Sequence, residues 1–121
     1  MPKLLIVDDE LDVREFARNF FRKRGIETSI ASAGMEALEL IEKDPPDLIL
    51  LDVRMGEMSG IDVLRQLQQR SAPIKVVMVS GLEEEQVVKE AMALGALGFI
   101  HKPLILEDLE KVVLREFGLN V

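Results

Sequence analysis

Two short runs of branched apolar residues, Leu4-Leu5-Ile6-Val7 and Leu48-Ile49-Leu50-Leu51, end abruptly in carboxylates, Asp8 and Asp9 after the first and Asp52 after the second. A continuous apolar run of this length, bounded by turn signals, is how a strand buried on both faces of a parallel sheet reads. Sheets of that kind bind their ligands in the crevice beyond the carboxyl ends of the strands. If the two strands are neighbours, three acids meet there. At 4 Å and an effective dielectric near 20, each like-charge pair costs roughly 4 kcal/mol, enough to hold a proton or recruit a divalent ion. Oxygen-only donors suit a hard cation.

Segments with the helical period separate such runs. After Asp9, residues Val13, Phe16, Ala17, Phe20 and Phe21 form one apolar stripe, which Gly25 ends. Ile26 to Ile30 reads as a second strand, and Ala37, Leu38 and Ile41 as a second helix that stops before Pro45-Pro46. The third strand spans Asp47 to Leu51. Ser59 with Asp62 three residues on has the pattern of a capping box, opening a helix through Leu64 and Leu67 with a stop near Ser71-Ala72-Pro73. Ile74 to Val79 is the fourth strand. Val87, Val88, Ala91 and Met92 mark a helix stopped by Gly95, Gly98 to His101 a fifth strand, and Leu109, Val112, Val113 and Phe117 a last helix ended by Gly118. Five strands alternating with five helices require right-handed crossovers, so the expected class is α/β, a doubly wound five-stranded parallel sheet.

A length of 121 residues suits a single domain over residues 1–121, with no linker, repeat or low-complexity tract. Fifteen basic against 22 acidic residues give a net charge of −7, which repels nucleic acid and anionic membrane. Direct nucleic-acid binding is therefore not expected. The chain has no cysteine, which removes disulfides and thiolate metal sites and suits a reducing cytoplasm. No signal peptide is visible at Met1-Pro2-Lys3, Met1 reads as the native start, and every apolar stretch falls short of the roughly 20 residues a membrane helix needs. A cytoplasmic protein with no membrane insertion is expected.

Two more polar residues sit where ligands of such sheets bind: Ser80 after the fourth strand and Lys102 after the fifth. Together with Asp8, Asp9 and Asp52 they lie in the phrases Leu5-Ile6-Val7-Asp8-Asp9, Leu51-Asp52-Val53-Arg54-Met55, Val79-Ser80-Gly81 and Phe99-Ile100-His101-Lys102-Pro103. This ordered set, from Lys3 to about Phe117, resembles the receiver domain of two-component response regulators. The resemblance implies the flavodoxin-like strand order 2-1-3-4-5. It also implies that Asp52 accepts a phosphoryl group from the phosphohistidine of a sensor histidine kinase or phosphotransfer protein. The expected cofactor is Mg²⁺, with Mn²⁺ as a substitute, held by Asp8, Asp9, Asp52 and the backbone carbonyl of Arg54, with Asp8 acting mostly through a water. Lys102 would pair with Asp52 and then with the phosphoryl oxygens, and Ser80 would donate its hydroxyl to them. The residue chemistry agrees, since a carboxylate is a workable nucleophile toward phosphorus and the transferred group carries charge that cations neutralise.

The resemblance further implies a readout in which Ser80 moves toward the phosphoryl group, Phe99 turns inward, and a partner or a second copy binds the face made by the fourth helix, fifth strand and fifth helix. It also implies a cis bond at Lys102-Pro103. Leu104, Ile105 and Leu106 follow where a polar helix cap is expected, and as apolar residues needing a partner or burial they are interface candidates. The chain thus reads as a signalling switch that catalyses its own phosphorylation and dephosphorylation, not as an enzyme with a separate substrate. A phosphatase of the haloacid dehalogenase type would need an acid two residues after the nucleophile, where Arg54 stands. A scaffold that works without phosphate is disfavoured by the intact set Asp8, Asp9, Asp52 and Lys102.

Departures from the family pattern are informative. Gly56, followed by Glu57, replaces a usual proline, and Gly81 replaces a usual alanine. Arg54 and Leu82 occupy positions that tune phosphoryl lifetime, and the pair is expected to prolong it to minutes or more. His101 reads as a surface residue directed away from Lys102. Arg18, Arg22, Lys23 and Arg24 read as cations favoured at a helix C-terminus.

Overall fold

Alternation along the strands divides the buried residues into two cores, one on each side of a five-stranded sheet. A computed structural model describes residues 2–56, 58–70, 74–81 and 85–118. The expectations for Glu57, for the Ser71-Ala72-Pro73 stop and for Leu82 lie outside these residues. In chain order the elements are β1 (Lys3–Val7), α1 (Leu11–Arg22), β2 (Glu27–Ala31), α2 (Gly34–Lys43), β3 (Leu48–Asp52), α3 (Gly60–Gln68), β4 (Lys75–Ser80), α4 (Glu85–Ala93), β5 (Gly98–His101) and α5 (Leu106–Glu116). The strands lie in the order β2-β1-β3-β4-β5, all parallel, as the sequence implied. Among the described residues no helix is long and apolar enough to cross a membrane.

Leu5, Val7, Ile49, Leu51, Val76 and Met78 point to one face, where Ala37, Ile41, Val63, Leu64 and Ala91 of α2, α3 and α4 cover them. Leu4, Ile6, Leu48, Leu50, Val77, Val79 and Ile100 point to the other, beneath Ala17 and Phe21 of α1 and Leu109 and Val113 of α5. Both faces are covered, which is why β1, β3 and β4 show continuous apolar runs without polar alternation. Each fully buried Leu, Ile or Val contributes about 1.5–3 kcal/mol, and every residue of β3 is buried.

β2, β3 and β4 each begin and end one residue later than the apolar pattern indicates. The pattern marks burial, whereas the backbone ladder continues onto polar residues: Asp52 lies in register with Val79, and Ser80 with His101. Asp52 and Ser80 are therefore strand residues, fixed by sheet hydrogen bonding. At the other end of β3, the Asp47 carboxylate accepts the Lys3 backbone N–H at 2.8 Å.

The basic end of α1 does more than answer the helix dipole. Arg22 Nη2 donates to the Thr28 carbonyl at 3.2 Å, while Arg24 stacks 3.6 Å from the Phe20 ring centroid and pairs with Glu110 of α5. α1 and α5 are thereby tied side by side.

α3 opens with the expected capping box: Ser59 Oγ accepts the Asp62 N–H at 3.2 Å, and the Asp62 carboxylate accepts the Ser59 N–H at 3.2 Å. Gly60, the first residue of that helix, packs directly on β3. A Cβ there would lie 2.1 Å from the Asp52 carbonyl oxygen, and the Gly60 N–H donates to the Val53 carbonyl at 2.8 Å. Backbone on both sides leaves a methyl group no room. Gly60→Ala should therefore lower stability by about 3 kcal/mol, seen as an earlier midpoint in urea-induced unfolding followed by circular dichroism.

Candidate functional site

The strand order reverses between β1 and β3, so a crevice opens at their carboxyl ends. Asp8 follows β1 and Asp52 ends β3 at that point, each only 2 % exposed. β5 delivers the counter-charge. The Lys102 N–H donates to the Ser80 carbonyl at 2.7 Å, which anchors the chain at the end of β5; the Lys102–Pro103 peptide bond is cis. From there Lys102 Nζ reaches Asp52 Oδ2 at 2.9 Å, Asp8 Oδ2 at 3.3 Å and Glu10 Oε1 at 3.4 Å.

Local backbone geometry sets the remaining oxygens. Asp52 Oδ1 accepts the Arg54 N–H at 3.3 Å, and Asp8 Oδ1 accepts the Glu10 N–H at 2.9 Å. Arg14 Nη1 from α1 donates to the Asp8 carbonyl at 2.7 Å, pinning the turn that carries the acids.

Burial is the strongest influence on Asp52 and raises its pKa above the ordinary carboxylate value. The Asp8 charge acts in the same direction, while the hydrogen bond and charge of Lys102 and the Arg54 N–H pull it down without cancelling the rise. On Lys102, burial pulls the pKa down, but the hydrogen bond it donates to Asp52 and the charges of Asp52 and Asp8 outweigh it and leave it raised. Burial thus opposes the charged form of Asp52, while the two carboxylates hold Lys102 charged.

Asp8, Asp9 and Glu10 each present a carboxylate oxygen within 4.8 Å of the other two, with Asp8 buried and the others exposed. Hard oxygen donors gathered this closely, beside a second buried acid, fit Mg²⁺, which keeps several of its own waters and needs few protein ligands. Glu10 is a member that sequence reasoning missed. The unbroken run Asp8-Asp9-Glu10 carries the signal for it, but its contact with Lys102, 92 positions away, is visible only in the fold.

Ser80 is buried and is the last residue of β4, and its carbonyl accepts the Lys102 N–H. At Gly81 an added Cβ would meet Lys102 Cδ at 3.9 Å, an ordinary contact, so glycine leaves about a methyl group of free space beside the lysine. Gly56 adopts φ +51°, a left-handed conformation that a proline could not take. Phe99 is half-buried against the core beneath α2, α3 and α4, with its ring 5.7 Å from that of the exposed His101.

The Leu104-Ile105-Leu106 segment divides. Leu104 packs on the α1–α5 side of the sheet, and together with Leu106 it lines a groove of about 840 Å³ between those helices. Phe16 and Val13 form the opposite wall, Glu10, Asp12 and Glu15 contribute acids, and Lys102 closes one end. Ile105 alone of the three is largely exposed, and as the N-cap of α5 it makes no side-chain cap.

Residues 4–114 match the family model described as the response regulator receiver domain. The sporulation initiation phosphotransferase F of Bacillus subtilis is 33 % identical over 111 residues, covering 92 % of this chain and 90 % of its own. Chemotaxis protein CheY of Listeria monocytogenes is 36 % identical over 116 residues, covering 92 % of this chain and 98 % of its own. The regulatory protein AtoC of Escherichia coli is 35 % identical over 118 residues, which make up 98 % of this chain but only 26 % of that protein. Among solved structures, the receiver domain of the Francisella response regulator 1452 superposes with a TM-score of 0.90 at 29 % identity, covering 98 % of both chains. The strand order, the acids at the switch point and these matches agree: the chain belongs to the response regulator receiver domain family of two-component signalling.

Proposed function

We propose that the chain is a phosphorylation-controlled switch in which Asp52 takes a phosphoryl group from the phosphohistidine of a sensor histidine kinase or phosphotransfer protein. The observation that carries this reading is the sharing of one ammonium, Lys102, between the buried carboxylates of Asp52 and Asp8. An Asp52 oxygen attacks phosphorus; the O–P bond forms as the N–P bond breaks, and the electron pair leaves on the imidazole nitrogen. Lys102 can pass from Asp52 to the arriving phosphoryl oxygens without crossing the pocket. The Ser80 hydroxyl supplies a further donor. Asp8, Asp9, Asp52 and the Arg54 carbonyl would hold Mg²⁺, or Mn²⁺ in its place, with Glu10 at the edge of the acid group. The bound ion would neutralise charge on the acids and on the transferred group.

Burial of Asp52 supports the role from the energetic side. A raised carboxyl pKa means that ionised Asp52 destabilises the fold, and a ligand that relieves the excess charge is favoured by the same free energy. The groove between α1 and α5 begins at Lys102, so a protein donor reaching Asp52 covers it. The response then passes through Ser80 and Phe99 to the α4-β5-α5 face, biasing an equilibrium between two forms and promoting partner binding or dimerisation. Arg54 beside the site would slow attack by water and keep the phosphoryl group for minutes or more. These roles make the chain a signalling switch in the cytoplasm, one that catalyses its own phosphorylation and dephosphorylation.

With acetyl phosphate and Mg²⁺ in excess, intact-mass spectrometry should show one added phosphoryl group, lost in Asp52→Asn and on chelation of the metal; Lys102→Ala should slow its appearance by about 100-fold or more. No added mass on the wild-type protein would end this reading. Linkage gives a second expectation. Because the folded Asp52 keeps its proton to higher pH than the unfolded chain does, its ionisation weakens the fold as pH rises above about 4. Without divalent metal, Asp52→Asn should therefore be more stable than wild type at pH 7, by about 1 kcal/mol, with the advantage vanishing as pH falls toward 4. Mg²⁺ at a hundred times its dissociation constant should add about 2.7 kcal/mol to the wild type and less to the variant, narrowing or reversing the order in thermal melts. Finally, Ile105→Glu should abolish any mass increase that phosphorylation produces in analytical ultracentrifugation, or at least a tenfold share of partner affinity, about 1.4 kcal/mol.

A further inference from the structure

Glu10 occupies the N-cap of α1, yet its side chain caps nothing. Its Oε1 lies 3.4 Å from Lys102 Nζ, its side chain is 62 % exposed against 3 % for those of Asp8 and Asp52, and it also lines the α1–α5 groove. It thus approaches the lysine from the solvent side, where a phosphoryl donor must enter, while the two buried acids approach from beneath. We propose that Glu10 is an electrostatic gate: its carboxylate engages Lys102 at the mouth of the pocket and repels free anionic phosphodonors, so that Asp52 is reached preferentially by a donor docked on a protein surface. This inference rests on the assignment of Asp52 as phosphoacceptor.

The magnitude follows from the exposure of the group. For one charge about 7 Å from an incoming dianion in water, Coulomb's law gives about a fivefold penalty at 10 mM ionic strength, falling to about twofold at 0.15 M. Neutralising Glu10 also leaves Lys102 with one competitor fewer for the phosphoryl oxygens, an effect of the same sign. Asp8 and Asp9 stay in place, and the Glu10 N–H continues to donate to Asp8, so the turn keeps its backbone support.

The test compares wild type, Glu10→Gln and Glu10→Asp at saturating Mg²⁺, with acetyl phosphate and then with phosphoramidate, a donor of lower net negative charge. Glu10→Gln should be phosphorylated by acetyl phosphate about fivefold faster at 10 mM ionic strength, with the gain nearly gone at 0.5 M and smaller for phosphoramidate. Glu10→Asp, which keeps the charge, should retain the wild-type dependence of the rate on salt and on donor charge that Glu10→Gln loses. In the absence of metal, the ¹⁵N resonance of Lys102 Nζ should move in Glu10→Gln. A wild type that is phosphorylated while Glu10→Gln reacts no faster, or reacts faster by a factor independent of salt and donor charge, overturns the gate alone. A wild type that takes up no phosphoryl group overturns the phosphoacceptor assignment with it.

Discussion

Lys102 enters the crevice above the sheet from the end of β5 and meets two carboxylates, Asp52 and Asp8, that are almost wholly removed from water. Neither acid could remain buried and ionised without it, because an isolated carboxylate in such surroundings takes up a proton instead. The hydrogen bond and charge of the ammonium do not cancel the effects of burial and of Asp8 on Asp52, whose pKa stays raised. A pocket built this way is stable enough to fold and unbalanced enough to welcome further positive charge. That imbalance links the fold to the chemistry proposed for it.

The sheet makes the imbalance affordable. β1 and β3 lie side by side at the reversal of strand order, so Asp8 and Asp52 converge without any long loop. Asp52 and Ser80 are held by the backbone ladder, and the two cores on either face fix the strands beneath them. The whole stability of a domain this size is of order 10 kcal/mol, so a site with excess buried charge has to rest on rigid elements. The exposed acids, Asp9 and Glu10, stand outside the ladder in the turn before α1.

Much of this was legible in the sequence because its signals are local. Continuous apolar runs revealed strands covered on both faces, the Ser59–Asp62 pair revealed the start of α3, and acids ending the runs revealed the crevice. Strand ends were displaced by one residue because hydrophobicity reports burial and is blind to ladder hydrogen bonds that continue onto Asp52 and Ser80. What the sequence hid are meetings between distant positions. Glu10 with Lys102, and Arg24 just after α1 with Glu110 of α5, follow from how helices settle on the sheet. Leu104, Ile105 and Leu106 read alike as apolar residues needing a partner or burial; the fold separates them, lining the α1–α5 groove with Leu104 and Leu106 and leaving Ile105 outside, an orientation that depends on the chain direction after Pro103.

The glycine that begins α3 has a mechanical meaning. With no side chain in between, the helix end rests on the peptide of Asp52 itself, in contact with its carbonyl oxygen. The carboxylate proposed to take the phosphoryl group therefore stands on backbone with no slack beneath it. Displacement has to go sideways, into the walls formed by β4 and β5, where a spare methyl's width lies open at Gly81.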